Sequence, residues 1–174
     1  RIPWLLLLMV SATFTGMIIS SFEASLGILP ILTVFIPMLM DTGGNSGSQS
    51  SVTVIRALSL DELHFKDIFT VIWKEVRAAA LCAIALAAVC FGKVMLVDRL
   101  LMGNTSVTVL VDLTVCLTLA VTVIVAKVVG CSLPLIAKRF GFDPAVMASP
   151  FITTIVDAMS LLLYFLFAKA ILGV

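Results

Sequence analysis

Charge is what this sequence has least of. Only 12% of its 174 residues are charged, about half the roughly 25% of a soluble domain, which excludes an ordinary water-solvated fold. Eleven Lys and Arg nearly balance ten Asp and Glu, for a net charge of +1. No run of like charge offers the footprint that a nucleic-acid backbone needs, so nucleic acid is not an expected partner. The four cysteines, Cys82, Cys90, Cys116 and Cys131, sit singly in apolar stretches. Without a Cys-x-x-Cys pair or a Cys/His cluster they read as small apolar helix residues rather than metal or disulfide sites. The one histidine, His64, stands in a charged loop and reads as solvated. A Gly-x-Ser-x-Gly elbow, a His-Glu-x-x-His pair and a phosphate loop are also missing, as are internal repeats and low-complexity segments.

Apolar residues fill the space that charge leaves. They make up 61% of the chain, with a mean hydropathy of +1.24. A span needs about 20 apolar residues to cross about 30 Å of hydrocarbon. Five stretches meet that, at about 2–22, 24–55, 78–97, 106–129 and 145–170. The expected fold is therefore an all-α polytopic membrane protein with five transmembrane helices. The first stretch begins at once with Arg1-Ile2-Pro3-Trp4, lacks a small-residue cleavage site and reads as a span with Trp4 as interfacial anchor, not as a signal peptide. So abrupt a start suggests the membrane part of something longer. The second stretch is too long to be helical throughout without protruding, tilting or breaking. An amphipathic cytoplasmic helix is expected over about 61–77, opening at Asp61-Glu62, with Leu63, Ile68, Phe69, Ile72, Trp73 and Val76 on its apolar side and Lys74 and Arg77 near anionic headgroups.

Orientation follows from the basic residues. Arg1, Arg56, Lys66, Lys74, Arg77, Lys127, Lys138 and Arg139 fall on one side, and Lys93, Arg99 and Lys169 on the other. The positive-inside rule then places the N-terminus in the cytoplasm and the C-terminus outside, in a multi-pass protein of the cell membrane.

An ionisable group at membrane depth costs at least about 2.5 to 3.5 kcal/mol, so it is a functional hypothesis by default. Asp157 lies near the middle of the fifth stretch, with Ser149 and Thr153 at successive helical turns before it and Ser160 after it. Such a stripe is either interhelical hydrogen bonding or the wall of an aqueous path. A midplane carboxylate with no basic residue nearby in its own span favours a cation site. In the second stretch Pro37 interrupts the backbone bonding, and the run Asp41-Thr42-Gly43-Gly44-Asn45-Ser46-Gly47-Ser48-Gln49 follows. One reading is irregular backbone whose freed carbonyls are cation ligands. The other is close helix packing through Gly43 and Gly47, and both can hold together. Asp143-Pro144 reads first as a helix start, at a mouth that also allows a metal role. Thr114, Thr118 and Thr122 read as hydroxyls bonding back to their own helix below Asp112. Glu23 reads as a loop carboxylate facing water. Asp41-Thr42-Gly43 has the tripeptide form of an aspartic protease site, leaving a remote alternative in which Asp41 and Asp157 share a proton.

The string Pro37-Met38-Leu39-Met40-Asp41-Thr42-Gly43-Gly44-Asn45-Ser46-Gly47-Ser48-Gln49-Ser50, followed by Arg56-Ala57-Leu58, resembles the second membrane helix of the MgtE family of magnesium channels. Gly141-Phe142-Asp143-Pro144-Ala145, then Ser149-Pro150 and Thr153-Thr154-Ile155-Val156-Asp157, resembles that family's fifth helix. The resemblance implies a homodimer in the lipid bilayer with a pore on the two-fold axis, lined by the second and fifth helices of both subunits. It implies that Asp157 of each subunit holds a largely hydrated Mg²⁺, helped by the carbonyl of Thr153, with Ser149, Gly44, Asn45 and Ser48 lining the path below. Ser48 and Ser149 stand where some members carry asparagine. The family's acidic N-terminal and paired CBS regulatory domains, expected before Arg1, are not within these residues. One carboxylate per subunit suits Mg²⁺, which dehydrates reluctantly and keeps several waters. The expected function is Mg²⁺ uptake by a channel and not an enzymatic activity; the alternative is a proton- or sodium-coupled secondary transporter of divalent cations.

Overall fold

The computed structural model describes residues 2–174. The side chains of Trp4 and residues 147–150 lie outside the description, and with them the readings of Trp4 as an anchor and Ser149 as a path-lining residue. The regular elements among the described residues are helical. They are α1 (Ile2–Ser21), α2 (Glu23–Ile28), α3 (Leu32–Ser59), α4 (Ile68–Lys93), α5 (Val109–Arg139) and α6 (Pro144–Leu172). A 3₁₀ turn over Phe65–Asp67 precedes α4, and a π-helical segment over Val94–Leu101 continues it. Three stretches are long and apolar enough to cross a membrane by length and composition: Phe65–Leu101, Val109–Arg139 and Phe151–Leu172, with a shorter apolar helix over Leu5–Ser21.

The helix starts follow local chemistry. Asp143 stays extended and its carboxylate accepts the Ala145 N–H at 2.9 Å, with Pro144 as the first helical residue of α6, as the sequence predicts. Thr108 does the same for α5, accepting the Val111 N–H at 3.3 Å. The last turn of α5 carries Lys138 and Arg139, the sign that a helix C-terminus favours. Lys138 also reaches across to the end of α3, where its Nζ donates to the Leu58 carbonyl at 3.0 Å.

The structure decides two open readings and changes two expectations. The second apolar stretch is not one element: it breaks at Leu29–Ile31, around Pro30, into the short α2 and the 28-residue α3. Nor is its polar half irregular. Residues 41–49 lie in unbroken α-helix, so their carbonyls are bonded within α3 and are not freed ligands. Pro37 sits in the second turn of the helix, where it removes a single bond near the end. The amphipathic segment opens at Ile68 and not at Asp61-Glu62, because Asp61 takes a left-handed φ of 58° that a helix cannot use. The His64 N–H then donates to the Asp67 carboxylate at 3.0 Å and sets the 3₁₀ turn. Leu63, Ile68 and Ile72 pack on Val54, Leu58, Cys131 and Leu135, whereas Phe69 and Trp73 face outward. The third stretch extends past Val97 through the π segment, whose wider turn sets Lys93 and Asp98, five residues apart, in a 2.8 Å ion pair.

α5 is the axis of the bundle. Some 56% of its apolar window is buried, against 17% for the α4 stretch and 33% for α6. It packs on α3, α4 and α6, while α1 touches the bundle mainly along α6, with Ser11 Oγ and Thr154 Oγ1 2.9 Å apart. The threonine row of α5 is buried, and Thr114 and Thr118 donate to Leu110 and Thr114 carbonyls at 2.8 and 2.7 Å. Thr122 has no hydrogen-bond partner among the described residues and packs toward Gly43.

Glycine sets how closely α3 approaches this axis. A Cβ at Gly43 would stand 2.8 Å from Thr122 Cγ2 and 2.9 Å from Val156 Cγ1. One at Gly47 would stand 3.0 Å from the Ala126 carbonyl oxygen, and one at Gly130 would collide with the Gly47 backbone. Backbone cannot swing aside as a side chain can, so Gly130→Ala is expected to destabilise the bundle by about 1 to 3 kcal/mol. Gly16→Ala, where nothing lies within 4 Å, should be neutral or slightly stabilising. Thermal unfolding in detergent, followed by size-exclusion chromatography, checks the pair; equal melting temperatures would refute the close-approach argument.

Candidate cation site

One face of α3 and one face of α6 enclose a cavity of about 470 Å³. From α3 come Ile36, Pro37, Met40, Asp41, Gly44, Asn45 and Ser48; from α6 come Thr153 and Asp157. The α3 residues recur at helical spacing, since positions 37, 41, 44, 45 and 48 share one side of a 3.6-residue helix. Thr153 and Asp157 are one turn apart on α6 for the same reason. Five residues expected at the site, Asp157, Thr153, Gly44, Asn45 and Ser48, therefore do meet, from segments more than a hundred residues apart. The sixth, Ser149, has its side chain outside the described ones.

The cavity combines two carboxylates, one amide, hydroxyls and an apolar rim. Asp157 is half-buried, whereas Asp41 and Asn45 are exposed on the surface of the single chain. Among the described residues no group of three or more His, Cys, Asp or Glu is placed to hold a metal ion. The arrangement therefore supplies a few charged oxygens and several neutral ones, which suits an ion that keeps its own water. A second cavity, of about 390 Å³, continues along α3 from Ser48 through Ser51, Val52 and Ile55 to Arg56, with Ala145 and Ile152 opposite. Ser48 belongs to both, so open space continues along α3 from Asp41 to Arg56, polar at the Asp41 end and largely apolar past Ser51.

Two sequence readings are refined by these positions. Ser160 is not on the cavity wall: it is 1% exposed, donates to the Val156 carbonyl at 2.6 Å and lies against Gly43. The polar stripe of α6 thus splits, with Thr153 and Asp157 on the cavity and Ser160 in the helix contact. Asp41 joins the cavity lining; the sequence placed it in the polar run of the second stretch and in a protease-like tripeptide, but not among the metal-site residues. Its spacing from Asn45 and Ser48 was the signal that could have placed it there.

The remaining acidic and basic candidates lie elsewhere. Glu23 is exposed in the first turn of α2. Asp143 is engaged at the start of α6. His64 is half-exposed, 3.7 Å from Asp61. Asp112 is fully buried; it accepts from Cys116 Sγ at 3.3 Å, and its Oδ2 has no hydrogen-bond partner among the described residues. Lys127, counted above among the basic residues of one side, is an interior residue: its side chain is 13% exposed and its Nζ stands 3.7 Å from Glu75 Oε2. Sequence reasoning missed this pair because Glu75 and Lys127 belong to different helices. Only the ionisable Lys127 within an apolar stretch hinted at it.

The comparison with known proteins bears on what such a cavity serves. A family described as a divalent cation transporter, MgtE, matches residues 36–167, which include every described residue of the α3–α6 cavity. The chain is 37% identical over 170 residues to a magnesium transporter MgtE of Bacillus subtilis, covering 98% of this chain and 36% of that protein. It is 32% identical over 172 residues to the protein of the same name from Thermus thermophilus, covering 99% of this chain and 36% of the relative. A third, from Enterococcus faecalis, is 31% identical over 165 residues, or 95% of this chain and 35% of the relative. The chain thus spans about a third of the length of the relatives it matches, which are named as transporters and not as enzymes. With its apolar helices and its match across most of its length, this membrane protein belongs to the MgtE family of divalent cation transporters.

Proposed function

We propose that the chain is the ion-conducting part of a magnesium transporter in which a hydrated Mg²⁺ passes along the α3–α6 face and is held by Asp157. The observation that carries this reading is the convergence of Asp157, Asp41 and neutral oxygens on one cavity. About 470 Å³ leaves room for an ion with much of its shell, each water taking about 30 Å³. Mg²⁺ favours that mode because it gives up water reluctantly. Asp157 supplies the charge, and Gly44, Asn45, Ser48 and Thr153 shape the wall. Since the α3 carbonyls are bonded within the helix, water-mediated contacts and side chains do most of the holding.

The complete path needs a second copy. Asp41 and Asn45 are exposed on the single chain, and a carboxylate facing lipid costs at least about 2.5 to 3.5 kcal/mol. A two-fold axis running past α3 and α6 would turn both cavities toward each other and replace lipid with a shared aqueous channel. Five spans follow in this reading: α1, α3, α4 with its π segment, α5 and α6. α3, about 42 Å long at 1.5 Å per residue, tilts or protrudes. Without Lys127, seven basic residues still face three, which keeps the N-terminus cytoplasmic and the C-terminus outside. The rest of the relatives' length is where cytosolic regulatory domains would reside.

Two measurements test the reading. An interaction contributing only about 1.4 kcal/mol to ion transit changes flux about tenfold, so Asp157→Ala and Asp157→Asn are each expected to lower Mg²⁺ flux into liposomes by at least that factor. Full flux with unchanged ion selectivity in both variants would remove Asp157 from the path, and flux that requires an opposing proton or sodium gradient would replace the channel by coupled transport. For the dimer, Asn45→Cys in a Cys82→Ala background should crosslink between copies, whereas Leu81→Cys, on the outer face of α4, should not. Active protein in which Asn45→Cys never crosslinks would point to a path within one chain.

A further inference from the structure

On the far side of α3 from Asp157, three helices meet around side chains that the ion path does not use. Ser50 of α3 is 2% exposed, and its hydroxyl donates to Glu75 Oε2 of α4 at 2.7 Å. Lys127 of α5 donates to Ser50 Oγ at 3.4 Å and stands 3.7 Å from the same Glu75 oxygen. The Lys127 and Glu75 side chains are 13% and 21% exposed. A carboxylate, an ammonium and a hydroxyl, each from a different helix, thus form one network inside an apolar bundle.

Such a pair contributes little more stability than an apolar pair of equal volume, yet breaking it leaves an uncompensated charge. Its distinctive property is that it accepts one relative placement of its helices and penalises others. That property matters at this level of the bundle. One turn away, α3 meets α5 through Gly47 and Gly130, backbone against backbone. Small residues permit close approach but offer no interlocking side chain at this level. The apolar side chains that key α3 into α5 lie to either side, Leu39 with Leu119 in one cluster and Val54 with Cys131 in another, and the polar network stands between them. Ser50 is three residues from Gly47 and two from Ser48, which lines the Asp157 cavity. A chamber of about 490 Å³ behind α3, which Lys127 helps to line, shares Asp41 and Asn45 with that cavity. Movement of α3 therefore reshapes both.

We propose that Glu75, Lys127 and Ser50 form a latch that fixes α3 against α4 and α5 and thereby sets the shape of the cavity at Asp157. Glu75 and Lys127 are positioning residues in this scheme, not ligands of the ion, and the scheme rests on the α3–α6 face being the ion path.

The test uses the full-length protein in liposomes, with the Mg²⁺ to Ca²⁺ flux ratio as the readout, because loss of folded protein lowers both fluxes without changing their ratio. Glu75→Gln and Lys127→Gln are each expected to shift the ratio by about tenfold, a coupling of ordinary size for neighbouring groups, and the double exchange E75K/K127E to bring it back to within about twofold. Spin labels at Val52 on α3 and Ile136 on α5, both exposed, should report a displacement of about 1 to 2 Å in the single variants, the scale of a helix shift. Folded single variants with unchanged ratio and unchanged label distance overturn the proposal. Should the single variants fail to fold, the exchange decides: a wild-type ratio supports the latch, and an altered ratio with an unaltered label distance overturns it. A label displacement in Glu75→Gln combined with full flux in Asp157→Asn would retain the latch and discard the Asp157 path.

Discussion

Gly47 sets its carbonyl against Gly130, and on that contact the placement of everything polar in α3 depends. From Asp41 to Ser50, α3 carries a carboxylate, a threonine, two amides (Asn45 and Gln49) and three serines over barely three turns, a composition that is costly on a lipid-facing helix. It enters the bundle because Gly43 and Gly47, with Gly130 of α5 opposite, let its backbone settle onto α5 and α6 through dispersion contacts. Once that face is fixed, the opposite arcs of the same helix have defined directions. One looks at Asp157 across the α6 cavity, and another at Lys127 and Glu75.

Polar groups in this bundle fall into two populations. Most are consumed internally: Thr114, Thr118 and Ser160 bond back to their own helices, and Tyr164 donates its hydroxyl to the Leu32 carbonyl at 3.0 Å. These satisfy the rule that hydrocarbon tolerates no orphaned hydrogen-bonding group. The second population stays unspent on the α3–α6 face, where Asp41, Asn45 and Asp157 line open space. Among the described residues, the buried side-chain atoms without a partner are Asp112 Oδ2 and Thr122 Oγ1 on α5, so the α3–α6 face is where several polar groups together meet open space.

Much of this was legible in the residues, and the failures have identifiable causes. Asp143-Pro144 announced the start of α6 because capping is a local matter of three residues. Asp157 stood out because its neighbours are apolar. By contrast, the glycine-rich run of α3 was open to two readings, unwound backbone or tight packing, since glycine serves both and only the partner helix decides. Its carbonyls proved to be bonded in the helix, so the freed-carbonyl reading fails while the residues themselves still line the cavity. Asp61 could not be recognised as a helix breaker, because Asp-Glu is equally a good helix start. Lys127 was counted with the basic residues of one side since its partner Glu75 lies 52 positions away, beyond the reach of any local pattern.

By itself, the sequence determined the apolar surroundings and the helical class, and it singled out Asp157 as a carboxylate flanked by apolar residues. Hydropathy, caps and helical periodicity are short-range properties, and they were sufficient for those conclusions. Tertiary structure decided which faces meet: that Ser160 packs while Thr153 and Asp157 line a cavity, that Asp41 joins them, and that an ion pair ties α4 and α5 to Ser50. Those outcomes depend on how closely helices approach and at what level they cross. In this bundle, glycines at three positions set that approach through contacts made only after the chain has folded.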